Sequence, residues 1–383
     1  MIISIKPVDV LFFRDSKPFS RGSEHFAKSL FPPSPQTLYG ALRTEALDNL
    51  KCDYEKYRES TFVFDNPDLV RQSGGLEKIK EQIGTPEKIG VFSLKGPLLL
   101  YQNKNVYLKL PADIKKVENK YKILKPFLWK DYGISTDLTA LDYFPHIITD
   151  EPLEDETGYI ALKSFIQYTF GEEIKEEDIK KEKDIFSYET RIGIGVNDER
   201  NAAEEGQLYS VGFVRLHVDW SLIAEVENLP ALQDRGIIQL GGERKICEYE
   251  ILSDNPFKYY FAELNKIKEK IEQTKQFKII FLTPTYFDKG WISNKFDDGL
   301  EMEVENIKIK LISALIGRAE IVSGWDLAKK RAKPLKNLVP AGSVYYFSLQ
   351  EGDINALFEK FNWTNFSDTE PNLGFGLSLI GGW

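Results

Sequence analysis

The chain has 383 residues, 42% of them hydrophobic, and 50 Lys and Arg against 59 Asp and Glu give it a formal charge of −9. That length has room for two or three domains with real cores, while the acidic balance argues against a wholly basic, free-standing polyanion binder, since neutralising phosphates needs Lys and Arg. Two cysteines, Cys52 and Cys247, exclude a disulfide framework and fit a reducing cytoplasm; the start of the chain does not read as a signal peptide, and no apolar run approaches the roughly 20 residues that cross a bilayer.

In chain order, residues 2–13 read as a strand broken or bent at Pro7. Residues 34–50 read as a helix: Ser34 is the N-cap candidate, Pro35 stands at the first helical position, and Leu38, Ala41, Leu42 and Ala46 recur at helical spacing. Residues 91–101 and 106–110 flank Gln102-Asn-Lys-Asn105 as a hairpin. Residues 136–200 are polar and irregular, with eleven acids and five lysines from 151 to 184, and read as an insertion. Residues 208–220 alternate as a strand. Residues 256–273 form an amphipathic helix with Tyr260, Leu264, Ile267 and Ile271 on one stripe. Strands are expected at 277–282, 307–316, 319–322 and 343–349. A helix at 353–361 follows, capped by Asp353, and a short strand at 377–380. Strands and helices in this order point to α+β architecture, helices against antiparallel sheets.

The charge is uneven. Residues 6–43 hold three Lys and three Arg against Asp9, Asp15 and Glu24, and residues 318–336 hold six bases against Glu320 and Asp326. The loop carrying Arg14, Lys17 and Arg21 feeds the helix that begins after Ser34, and a basic loop leading into a helix N-terminus can hold phosphate through side-chain charge and free amides together. Ser34, Gln36 and Thr37 are donors there. Arg244 and Lys245 directly follow the turn at Gly241-Gly242, where Arg244 can bind a phosphate bidentately. A solvated hairpin tip is nearly as good an account of that stretch. Lys329-Lys-Arg-Ala-Lys333, after Trp325, is a solvated face or an RNA surface. Three scattered histidines and two cysteines have no metal-ligand spacing. His217 reads as structural and His146 as a loop residue, and His25, on the basic loop, is the one acid–base candidate. Glu301, Glu303 and Glu305 share a strand face as a solvated acidic run. There is no P-loop, nucleophile elbow, dinucleotide fingerprint or RNP aromatic pair, and no cofactor is expected.

Several stretches together resemble a known family: Asp9-Val-Leu-Phe-Phe-Arg-Asp-Ser-Lys-Pro-Phe-Ser-Arg-Gly22 with Leu30-Phe-Pro-Pro-Ser-Pro-Gln-Thr-Leu-Tyr-Gly-Ala-Leu-Arg43; Glu189-Thr-Arg-Ile-Gly193 with Gly206-Gln-Leu-Tyr209; Leu240-Gly-Gly-Glu-Arg-Lys245; Leu282-Thr-Pro284 with Gly290-Trp291; Ser323-Gly-Trp-Asp-Leu327 with Val339-Pro-Ala-Gly-Ser-Val-Tyr-Tyr346; and the end, Gly374-Phe-Gly-Leu-Ser-Leu-Ile-Gly-Gly-Trp383. They are similar to the RAMP superfamily of CRISPR-associated proteins, and within it to the type III-B (Cmr) effector subunit that binds the 5′ tag of the guide RNA. The resemblance implies two ferredoxin-like (RRM-like) domains with long inserted loops and a C-terminal glycine-rich loop. The division is placed near residue 220: an N-terminal domain over 1–220 with an insertion at about 130–205, and a C-terminal domain over 221–383.

The resemblance further implies a non-catalytic role in a cytoplasmic ribonucleoprotein. The partners would be crRNA, the large polymerase-like subunit and the first backbone subunit, with neither membrane nor DNA contact. Arg14, Lys17, Arg21, Arg191, Arg244 and Lys245 are the expected RNA contacts, with Ser34, Gln36 and Thr37 donating. Arg191 would lie on a hairpin that inserts beside the guide, with Ile192 and Ile194 as apolar wedges. Gly374, Gly376 and Gly381 would let backbone amides approach a phosphodiester; a tight turn packing the last strand against the sheet accounts for them equally well. Two rivals stand beside this reading: a metal-independent endonuclease that cuts repeat RNA, and a scaffold that mainly binds protein.

Overall fold

The computed structural model describes residues 1–14, 26–128, 141–197, 202–326 and 331–383. They form a mixed α/β structure with mostly antiparallel sheets. Two compact units interleave along the chain: unit 1 takes Met1–Pro97, Lys183–Ser253 and Ile321–Lys336, and unit 2 takes Leu98–Glu182, Asp254–Glu320 and Asn337–Trp383. Residue 220, where the sequence suggested a division, begins the strand Trp220–Glu227 inside unit 1.

In unit 1, β1 (Ile2–Pro7) ends at Pro7 and lies between two antiparallel neighbours. Ile3 and Ile5 face Ala224 and Leu222 on one side, and Ile251 and Tyr249 on the other. The strand Arg235–Gln239 extends this sheet beyond Ile246–Ile251. The helix α1 (Pro35–Asn49) buries Leu38, Leu42 and Ala46 of the stripe read from its spacing, together with Tyr39 and Leu47, while Ala41 is half-buried. A second sheet is a long hairpin, Phe186–Asn197 with Ala202–Leu216, joined by β2 (Phe26–Lys28) running parallel to its second strand.

Unit 2 is built on a six-stranded sheet in the order Glu301–Val304, Ile307–Leu315, Val344–Glu351, Gln276–Phe281, Leu377–Gly382, Thr364–Asn365. The helix Lys258–Thr274 turns Tyr260, Ile267 and Ile271 inward, and Asp353 caps Ile354–Phe361 by accepting from the amides of Asn355 and Ala356. At the centre Lys278 is 1% exposed, with Nζ 3.0 Å from Asp113, which is fully buried. Tyr168 and Tyr346 donate their hydroxyls to the same carboxylate.

Three expectations are corrected. The described part of residues 136–200 is no irregular insertion: it contains the helix Leu162–Thr169, with Phe165 and Tyr168 fully buried, and the first strand of the long hairpin. Charge on its outer face hid an amphipathic core. Residues 319–322 do not continue the main sheet; Glu320–Val322 pairs with Lys336–Leu338 in a sheet of its own. The strand candidate at 208–220 is two strands, since Leu216 ends one and Trp220 begins the next. Among the described residues no helix is long and apolar enough to cross a membrane.

Candidate nucleic-acid interface

Three distant stretches of unit 1 meet around two phenylalanines. Leu11 exchanges backbone hydrogen bonds with Val214 on the long hairpin, 2.8 Å each way, which lays residues 9–13 across it. Phe12 and Phe213 then pack at 5.4 Å between ring centres, within a buried cluster that includes Val10 and Val211. The turn at 240–245 closes on the same place, with the Gly242 amide donating to Phe12 O at 2.8 Å. Gly241 has φ +84, and a Cβ there would lie 2.4 Å from Phe12 O, so only glycine brings the turn this close. The double glycine therefore serves backbone packing, and through it carries Lys245 onto Phe213. Lys245 Nζ stands 4.9 Å from that ring's centre and Arg191 Cζ 5.1 Å. Arg244 is exposed beside them at φ +50.

The hairpin register explains which side chains share this face. Glu189 is opposite Phe213, Arg191 opposite Val211 and Ser187 opposite Arg215; with side chains alternating, these residues point one way. Asp9 joins them from the neighbouring segment. Arg191 reaches Asp9 at 3.3 Å and Glu189 at 2.7 Å; Arg215 reaches Asp9 at 2.9 Å and Glu189 at 2.6 Å. Hydrogen bonds from Arg191 and then Arg215 hold the Glu189 carboxyl below its usual range. For Asp9, burial acts upward, but the bonds from Arg215, the Val10 amide and Arg191 outweigh it and the pKa is lowered. Two guanidinium groups thus face two carboxylates. Arg215 escaped the sequence reading, and only the hairpin register would have revealed it. Ile192, the proposed wedge, is 68% exposed on the same strand.

Arg14 is exposed and bridges to Ser29, next to Phe13, whose amide donates to Ser29 Oγ at 2.7 Å. Leu30 N donates to Phe13 O at 2.8 Å, and Ser34 follows four residues on. Ser34 occupies the N-cap position of α1 without capping it: its side chain makes no cap bond, and its Oγ is buried with no partner. The Thr37 amide donates to Ser34 O instead. Gln36 is already engaged, its Nε2 donating to Ser323 O at 2.8 Å. Lys17, Arg21 and His25 lie outside the described residues, as does the side chain of Ile194.

At the glycine-rich end the structure favours strand packing over phosphate contact. Gly374, Gly376 and Gly381 are all buried within unit 2. The Gly374 amide donates to Pro371 O and the Gly376 amide to Pro284 O, both at 2.9 Å. A Cβ on Gly376 would lie 2.3 Å from Phe366 O, and one on Gly381 would lie 3.1 Å from the Thr169 side chain. These glycines let the last strand, Leu377–Gly382, lie close to its neighbours, and the amides of Gly374 and Gly376 are spent inside the chain. His146 packs its ring near Phe127 and Phe144, while the His217 amide donates to Ile185 O. His146 ends the strand Tyr143–His146 and is no loop residue. Burial pushes the Cys247 thiol up to about 12 and the Cys52 thiol up to about 11, so neither is a reactive thiolate at neutral pH.

Residues 3–383 match the family described as CRISPR-associated protein (Cas_Cmr3). The chain belongs to this family. It is therefore a CRISPR-associated protein of the Cmr (type III-B) group. No curated relative matches it. Among solved structures, a chain of the type III-B Cmr-beta bound to cognate target RNA is 16% identical with a TM-score of 0.51, covering 98% of this chain and 95% of that one. A chain of Cmr-beta bound to cognate target RNA and AMPPnP is 14% identical with a TM-score of 0.48, covering 90% and 86%. At 16% identity, the likeness to the first is one of fold.

Proposed function

We propose that the chain is a non-catalytic RNA-binding subunit of a type III-B CRISPR interference complex, working in the cytoplasm. In this reading it anchors the repeat-derived 5′ tag of the guide RNA and contacts the large polymerase-like subunit and the first backbone subunit. The antiparallel sheets with helices packed against them are in keeping with a pair of ferredoxin-like domains. The observation that carries the reading is the pair Arg244 and Lys245, which the turn at 240–245 seats on the Phe213 face, Lys245 against the ring and Arg244 exposed, beside an Arg191–Arg215 set whose charge Asp9 and Glu189 balance. Adjacent cations on one face can contact the phosphates of a single strand even on a protein of net charge −9. Most contacts would go to phosphates, which position the strand without reading its sequence.

Arg244→Ala with Lys245→Ala, in the assembled complex, is expected to weaken guide retention. The slope of log K against log salt should fall by about 0.7 for each phosphate that is no longer neutralised. An unchanged affinity and slope would overturn the assignment. Repeat RNA incubated with the chain in chelator is expected to stay intact. Cleavage that disappears in His25→Ala would replace the binding role with an endonuclease.

A further inference from the structure

The basic stretch near the end of the chain belongs to the same unit as the face around Phe213. Residues 321–336 carry five bases against one acid, Asp326. They form a hairpin in which Asp326 is opposite Arg331 and Trp325 opposite Ala332. Its base is closed by Lys333 N donating to Gly324 O at 2.8 Å and Ser323 Oγ donating to Lys333 O at 3.3 Å.

What holds it in place is the first turn of α1. Gln36 Nε2 donates to Ser323 O, and a Cβ on Gly324 would meet Gln36 Nε2 at 3.4 Å and Lys333 Cδ at 3.5 Å. The missing side chain at Gly324 thus brings the Lys333 stem beside Gln36. Arg331 and Lys333 are both exposed. Gln36 belongs to the first turn of α1, the end at which the helix dipole favours an anion.

The chain also tethers the start of α1 to the first face. Leu30 is bonded to Phe13, and four extended residues span at most about 14 Å to Ser34. We propose that Lys333, with Arg331, is a second phosphate contact on the same single-stranded RNA, continuing the track from Lys245 and Arg244 past the N-terminus of α1. The proposal rests on the RNA-binding reading and adds the direction in which the strand leaves the Phe213 face.

The test is binding of a single-stranded oligouridylate to the full chain over a range of salt. Arg331→Ala/Lys333→Ala is expected to lower the salt slope by about 1.4, twice the value of about 0.7 for one single-strand phosphate. Arg331→Lys/Lys333→Arg, which keeps both charges, is expected to preserve the slope. If the alanine pair leaves the slope intact while Arg244→Ala/Lys245→Ala lowers it, the second contact is refuted and the RNA reading stands. If neither pair changes it, the RNA reading falls and takes the second contact with it. A loss in the charge-preserving pair equal to that in the alanine pair also refutes the contact, because shape and not charge would then be responsible.

Discussion

Lys278 shows how much one residue type depends on its surroundings. In the sequence it is one lysine within an apolar run at 277–282, and nothing there distinguishes it from a solvated charge. In the fold it is buried, with Nζ 3.6 Å from the centre of the Tyr168 ring and 3.0 Å from Asp113. Burial pushes its ammonium toward losing its proton, and Asp113 opposes that. Burial and then the Asp113 charge push the Tyr168 phenol well above its ordinary value, so it stays a donor. Each member satisfies the others, and such a set is costly to break singly. Lys278→Met is expected to destabilise the chain by about 3–5 kcal/mol, because Asp113 is left as a buried charge without its cation. Lys278→Met/Asp113→Leu should recover part of that loss, since no charge is then stranded. Chemical denaturation of both variants checks it, and a double variant no more stable than the single one would show that the pair is not the source.

The long hairpin was half legible at the level of elements. Glu189-Thr-Arg-Ile-Gly193 suggested a hairpin carrying Arg191, and the structure has one. What the sequence could not supply was the partner strand's register, and with it Arg215 and the reach of Asp9 across to both arginines. The same applies to α1: apolar spacing gave Leu38, Leu42 and Ala46 of its buried face but not Tyr39 or Leu47, and no spacing reveals that Ser34 leaves the cap unfilled or that Gln36 holds the 321–336 hairpin. The four-charge set carries a pH signature. Asp9 and Glu189 both have lowered pKa values in the folded chain. Their contribution is therefore complete above the unfolded carboxylate values of about 4 and is lost as pH falls through the lower, folded ones. Amide hydrogen exchange along Phe186–Ile192 is expected to speed up severalfold below about pH 4, ahead of global unfolding. Asp9→Asn should show part of that increase already at neutral pH. Uniform exchange across the hairpin at both pH values would mean that the pairs do not tether it.

Across the whole chain, the hardest feature to read was the interleaving of the two units. Composition and local periodicity find helices and hairpins because their partners lie within a few residues. β1 has no such partner: its neighbours are Trp220–Glu227 and Ile246–Ile251, over two hundred residues away. Any one of several strands would satisfy its apolar pattern, so the pairing is decided by tertiary packing alone. The motifs survived this difficulty because each is short, whereas a boundary depends on every strand pairing in the chain. A cut at 220 removes both neighbours of β1 at once, and it takes Gln276–Phe281 away from residues 98–182 of its own unit. Residues 1–220 made alone would leave Ile3 and Ile5, fully buried in the intact chain, with no sheet to enter. The fragment is therefore expected to lack a cooperative thermal transition, and amides of Ile2–Pro7 should exchange at rates near those of an unfolded chain. Residues 221–383 alone should fare no better, since Asp113 and Tyr168, which pair with Lys278 and Tyr346, would be missing. Mixing the two fragments should restore protection at Ile3 and Ile5 if the pairing drives assembly. A 1–220 fragment that melts cooperatively by itself, with β1 protected, would show that the N-terminal strand has another partner and that the interleaved division is wrong.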